Sequence, residues 1–202
     1  DPFRGGSHLP DITVVTPVFD DKKSRVQFFV ASRAHHADIG GKTPGSMPPD
    51  STCLAEEGVL IRALRFAHDG AIDEAELRTL LTTSPFPARN PEENLADIAA
   101  QVAANQTGSR ELLAMIALQS EEIVTAFMNH IRQAAAWKTR QALRRFAQGE
   151  HRFEDTMDDG TPIRLVIRIE SDRATFDFTG TGPVSRGNLN ANRSIVSSAI
   201  LY

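Results

Sequence analysis

Before Pro91 the chain carries short apolar runs separated by turn residues, a pattern that predicts strands and irregular segments. Ile12-Thr13-Val14-Val15-Thr16-Pro17-Val18-Phe19 is rich in β-branched residues and predicts a strand. Pro17 lacks an N–H and puts that end of the strand at an edge or a bulge. Asp20-Asp21-Lys22-Lys23-Ser24 is a polar turn, and Arg25-Val26-Gln27-Phe28-Phe29-Val30-Ala31-Ser32 returns as a second strand, so residues 12–32 predict a hairpin. Residues 40–57 carry Pro44, Pro48 and Pro49, which excludes a helix or a central strand there. Val59–Phe66 predicts a third strand, His68-Asp69-Gly70 a turn, and Asp73–Leu81 a short helix with an acidic first turn.

From Pro91 the period changes to helical. Leu95, Ile98, Ala99, Val102 and Ala103 mark one apolar face, and Gly108-Ser109 predicts a break. A long helix then follows to Gly149, with an interruption near Ser120. Two antiparallel helices over about 91–148 would form a helical hairpin subdomain. The last third returns to strands: Gly149–Asp155, then Ile163–Ile169 and Ala174–Phe178 joined as a β-hairpin at 170–173. A Gly/Asn-rich loop over 180–192 leads to a helix from Ser194. The order is a β-rich N-terminal part, a helical hairpin and a β-hairpin C-terminal part, which is an α+β class rather than alternating β-α-β units.

Composition narrows the functional classes. The 202 residues are 41% hydrophobic and 24% charged, which is enough for a folded core. A net charge of −4 supplies no basic field for nucleic acid or anionic membrane. No apolar run approaches the ~20 residues that span a bilayer, and no signal peptide opens the chain. The single cysteine, Cys53, allows no intrachain disulfide and favours a reducing, cytoplasmic setting. The chain starts without Met and stops within the apolar run Ala199-Ile200-Leu201, so a piece of a longer polypeptide, truncated at both ends, is expected.

The candidate chemistry centres on two His-x-x-Asp pairs, His8-Leu9-Pro10-Asp11 and His35-His36-Ala37-Asp38. A hairpin beginning after the first pair and ending before the second brings both to one edge. With Glu57 arriving from the next strand, the set His8, Asp11, His35, Asp38 and Glu57 forms a nitrogen/oxygen donor group. It suits a divalent Zn, Mn or Fe ion, whereas a thiolate site is excluded because Cys53 is alone. Either pair by itself reads more readily as a hydrogen bond orienting an imidazole or capping a turn, and it is the two pairs together that bring the metal reading level with it. His36, adjacent to His35, points the other way and ranks below it. Gly40-Gly41 permit close backbone approach or positive φ. Cys53 reads as a loop thiol, His130 and Trp137 as packing residues in the long helix, and His151 as structural. Gly180-x-Gly182 reads as a turn, since it enters Pro183 rather than a helix.

The segments Asp1–Asp11, Ser32–Gly41, Pro44–Ser51 and Glu56-Glu57-Gly58, with Asp177–Thr181 and Gly187–Ala191, resemble the hydantoinase B/5-oxoprolinase family along essentially the whole chain. The resemblance implies a portion of a single family domain and a hydrolase of cyclic amides, opening 5-oxoproline (a glutathione-metabolism step) or hydantoin rings at the expense of ATP. It further implies ATP-Mg on a partner hydantoinase A-like subunit, or on the N-terminal half of a fused chain, hence a hetero-oligomer. His35, Asp38 and Glu57 are the implied catalytic residues within the metal set. The alternatives are a subunit of an ATP-dependent ketone carboxylase and a non-catalytic assembly module docking through its helices.

Overall fold

A computed structural model describes residues 1–20, 22, 24–68 and 71–202. Asp21, Lys23, Asp69 and Gly70, within the turns expected at 20–24 and 68–70, lie outside the described residues. The elements in order are β1 (Asp11–Phe19), β2 (Val26–His35), α1 (Leu54–Glu57), β3 (Ala67–His68), β4 (Ala71–Ile72), α2 (Glu74–Thr82), α3 (Pro91–Gln119), α4 (Glu121–Leu143), β5 (Gly149–Thr156), β6 (Pro162–Glu170), β7 (Arg173–Asp177) and α5 (Arg193–Leu201). The mixed α and β content agrees with the expected class. No helix among the described residues is long and apolar enough to cross a membrane.

The chain divides into two compact units, one of residues 1–112 and 186–202, the other of 113–185. The division falls inside α3, so the residues expected as a helical subdomain over 91–148 are shared between them. In the first unit, β1 and β2 pair antiparallel from Asp11↔His35 to Pro17↔Phe29, with an irregularity between Val18 and Phe19. Side chains alternate across the strand, so Ile12, Val14 and Val18 are buried while Thr13, Val15 and Phe19 are exposed. Helix α3 covers the buried face. Gly108 does not break that helix. A Cβ there would stand 3.0 Å from Val30 Cγ1, so its bare backbone admits close packing on β2. The interruption lies at Ser120, where φ is 74° and α3 passes into α4.

Two apolar clusters hold this unit. Leu77, Leu81, Ala88, Leu95 and Ile98 form one, with Leu64, Phe66 and Ile72 packed on it. Leu9, Ile12 and Ile39 form the other, with Leu54, Leu60 and Ile61 against it. The expected strand at 59–66 is absent because its apolar side chains serve both clusters. Leu60 and Ile61 face one cluster, Leu64 and Phe66 the other, and Ala63 at φ 41° turns the chain between them. The proline-rich stretch also holds one unanticipated element, the single turn α1 with Cys53 exposed at its N-cap.

In the second unit, β5, β6 and β7 form an antiparallel sheet in chain order. Arg144 just past α4 pairs with Asp172 in the β6–β7 turn at 2.9 Å. Thr181 stitches the following loop to β6, its hydroxyl donating to the Arg164 carbonyl and accepting from the Arg164 N–H. Helix α4 differs from expectation. His130 and Trp137 are not packed, and Ile123, Phe127 and Ile131 are exposed beside them; Val124 is its buried residue.

Candidate metal centre

The register of the hairpin creates the site. Asp11 opens β1 and His35 closes β2, and they are direct partners, with Asp11 Oδ1 3.1 Å from His35 Nδ1. β2 runs three residues beyond its expected end at Ser32, so His35 is held on a strand rather than in a loop. His8 arrives from the turn before β1. Its ring meets that of His35 edge-on at 5.1 Å between centroids, and its Nδ1 lies 3.5 Å from Asp11 Oδ2. That separation is too long for a good hydrogen bond, and His8 Nδ1 is buried without another partner. Leu9 and Ile12, buried beneath, leave His8 and Asp11 turned toward His35.

His8, Asp11 and His35 each offer a donor atom within 4.8 Å of the others. Burial works to raise the Asp11 carboxyl. Hydrogen bonds from Ser7 (2.7 Å) and His35, with the charges of His8 and His35, outweigh it and hold that carboxyl below the ordinary aspartate range. The group therefore fits a divalent cation in three respects. It has two imidazoles and one ionised carboxylate, its atoms converge, and one buried nitrogen has no hydrogen-bond partner.

Asp38 and Glu57 are not brought to this group. Asp38 Oδ1 accepts from the Gly40 N–H (2.9 Å) and the Arg89 N–H (3.3 Å), while Oδ2 accepts from the Gly45 N–H (2.9 Å) and Arg89 Nη1 (2.7 Å). Both oxygens are thus spent on fixing the loop. Burial pushes the Asp38 carboxyl up, but these backbone and guanidinium donors prevail and hold it low. Arg89 Nη2 also donates to the Gly41 carbonyl at 2.7 Å. Gly40 and Gly41 have φ of 92° and 90°, and they lie close against the backbone of Phe86 and Glu57. Glu57 ends α1 and accepts from the Ser51 hydroxyl at 2.9 Å.

His36 faces away from His35, into the interior. It is fully buried, with Nδ1 accepting from Asn94 Nδ2 (3.2 Å) and Nε2 donating to Gln101 Oε1 (3.2 Å). Gln101 Nε2 in turn donates to the carbonyls of Ile12 (3.0 Å) and Ser32 (3.2 Å), and Asn105 Nδ2 to that of Val14 (3.0 Å). This buried ladder clamps α3 to both strands that carry the candidate ligands. The Gly/Asn-rich loop reaches the same region. Asn192 Nδ2 donates to the Ser7 carbonyl at 3.0 Å, and its Oδ1 caps α5 by accepting from Ile195 N–H. In the second unit, His151 Nε2 donates to the Ala147 carbonyl at 2.8 Å, a structural role.

The sequence profile of the family described as Hydantoinase B/oxoprolinase matches residues 1–202. The chain belongs to this family. Among the relatives of this hydantoinase B/oxoprolinase chain, 5-oxoprolinase 1 of Arabidopsis thaliana is 41% identical over all of the chain and 18% of its own length. The 5-oxoprolinase of Dictyostelium discoideum is also 41% identical, over all of the chain and 16% of its own length. The chain therefore spans less than a fifth of these curated relatives. Its fold is similar to that of an ATP-dependent caprolactamase from Pseudomonas jessenii, with a TM-score of 0.87 at 25% identity, over 100% of this chain and 34% of that one. Arg89, Asn94, Gln101, Asn105 and Asn192 are the residues whose hydrogen bonds fix the strands and loops around the candidate site in this hydantoinase B/oxoprolinase chain.

Proposed function

We propose that this chain carries the metal-binding, hydrolytic portion of an ATP-dependent cyclic amide hydrolase acting on 5-oxoproline or hydantoin rings. The observation carrying the reading is the convergence of His8, Asp11 and His35, with one buried imidazole nitrogen that makes no hydrogen bond. These three residues would hold a Zn, Mn or Fe ion. When bound, such an ion supplies Lewis acidity at a carbonyl-type oxygen or lowers the pKa of water. The chain's own residues do the positioning. Asp11 keeps an ionised carboxylate between the two imidazoles, the Asp38–Arg89 pair fixes the loop after His35, and Glu57 holds the neighbouring turn through Ser51. ATP-Mg belongs to a hydantoinase A-like partner subunit or domain, and the family resemblance supports that division.

Metal analysis of the full-length protein tests the reading. Stoichiometric metal is expected in the wild type and in Asp38→Asn, with loss in His8→Ala, Asp11→Asn and His35→Ala. Metal retained by all three of the latter would overturn it. Phosphate release with the ATP-handling part, over a panel of lactams, hydantoins and ketones, separates ring opening from ketone carboxylation. A second reading, assembly through the helices, is favoured by the exposed Phe127, Ile131 and Trp137 of α4. Unchanged partner binding after Phe127→Ser and Ile131→Ser would remove it.

A further inference from the structure

A cavity of about 430 Å³ runs along β1 and has Asp11, Thr13 and Arg33 in its lining, with Ile61, Leu64 and Ile98 supplying apolar wall. Arg33 stands two residues before His35 on β2, so the two side chains leave the same face of the hairpin. Arg33 faces Thr13 as His35 faces Asp11. Its Nε donates to Thr13 Oγ1 at 2.9 Å, which draws the side chain across β1 toward the cavity. The other two arginines of the cavity, Arg4 and Arg62, lie 3.9 and 3.8 Å from the Asp1 carboxylate. Arg33 has no carboxylate partner among the described residues.

We propose that Arg33 is a specificity-determining residue that receives a carboxylate carried on the substrate ring. The site would then take lactams bearing a ring carboxylate, such as 5-oxoproline, in preference to neutral lactams. This rests on the function proposed above and names the residue that sets its preference among cyclic amides. A guanidinium offers a planar, two-donor edge that matches a carboxylate, and the apolar wall strengthens the pairing by lowering the local dielectric. Thr13 fixes the guanidinium through Nε, so little further ordering is needed when the carboxylate arrives. Arg33 is solvent-exposed in the absence of ligand, which limits the gain to the lower end of charged hydrogen bonds.

Calorimetric binding of 5-oxoproline and of 2-pyrrolidinone, the same ring without the carboxylate, to the full-length protein tests the proposal. The wild type is expected to bind 5-oxoproline roughly tenfold more tightly than 2-pyrrolidinone. Arg33→Met should abolish that preference while leaving 2-pyrrolidinone affinity and metal content unchanged, and Arg33→Lys should restore part of it. A preference that survives Arg33→Met, equal losses for both ligands, or no wild-type preference would each overturn the assignment. The last outcome includes Arg33 being occupied by a carboxylate from elsewhere in the longer protein. Failure to bind either ligand would overturn it too. Metal content measured on the same samples separates the two readings. Full metal without preference sinks Arg33 alone, whereas a metal-free wild type sinks the site itself.

Discussion

Asp11 and His35 face each other as the terminal pair of the β1–β2 ladder, with 3.1 Å between carboxylate and imidazole. Their meeting depends on register: a slip of one residue would turn every side chain of one strand to the opposite face. The site is therefore as well defined as the hairpin that builds it.

A chelator should reveal whether this pair holds an ion. An ion that binds only the folded state adds about 2.7 kcal/mol when present at a hundred times its dissociation constant. EDTA is accordingly expected to lower the melting temperature of the full-length wild type by several degrees. His35→Ala should melt lower than wild type without chelator and be insensitive to it. An equal EDTA effect on both proteins would show that the stabilising ion sits elsewhere.

Asp38 gives a pH-dependent prediction. Its carboxyl is held below the ordinary aspartate value in the folded state, by donors that overcome burial. The stabilisation is then fully present above the unfolded value, near ~3.9, and is lost as pH falls through the lower folded value. Asp38→Asn should cost about 1–3 kcal/mol at pH 7, because Arg89 loses its ionised partner. In urea titrations the gap between wild type and variant should close below pH 4. A gap constant from pH 7 to pH 3 would rule out the ionised Asp38–Arg89 pair as its source.

Much of this arrangement is legible in the residue pattern, and the exceptions have physical causes. The hairpin, the helical middle, the β6–β7 turn and α5 follow from β-branched runs, periodicity and turn residues. The meeting of His8, Asp11 and His35 follows from hairpin geometry alone. Asp38 misleads because a carboxylate three residues from a histidine resembles a ligand, while its actual partners, Gly45 and Arg89, are set by the loop and by tertiary contact. The run at 59–66 has strand composition, but two clusters compete for its side chains. In α3 the buried face includes Asn94, Gln101 and Asn105 beside Leu95 and Ile98, so it is turned from the stripe of purely apolar residues. Amides that bond buried carbonyls are invisible to a hydrophobic count.

Those amides make a strong stability prediction. Gln101→Ala removes the side chain that bonds His36, Ile12 and Ser32 at once, and strands buried polar groups on both strands. Leaving such groups unpaired costs about 1–3 kcal/mol each, so a total loss of about 3–5 kcal/mol is expected in denaturant titrations. Because Gln101 lies under the hairpin, metal retention in Gln101→Ala should also weaken. Stability within 1 kcal/mol of wild type would mean that water or a repacked neighbour replaces the amide.

Gly108 tests the packing of α3 on β2 without touching the site. Two effects oppose each other in Gly108→Ala. The helix interior gains about 1 kcal/mol, since alanine loses less backbone freedom than glycine. Against this, the new Cβ meets Val30 Cγ1 at 3.0 Å, so Val30 must yield by a few tenths of an ångström. Val30 is β-branched and stiff at χ1, which makes that shift cost a comparable amount. Gly108→Ala is therefore expected within about 1 kcal/mol of wild type. Gly108→Leu adds bulk with no further helix gain and should lose about 1–3 kcal/mol by overpacking. Val30→Ala should rescue Gly108→Leu if the clash is the cause, giving a favourable coupling in a double-mutant cycle of thermal denaturation. Additive losses from the two changes would show that Gly108 and Val30 are not in contact, and the close approach of α3 to β2 would have to be abandoned.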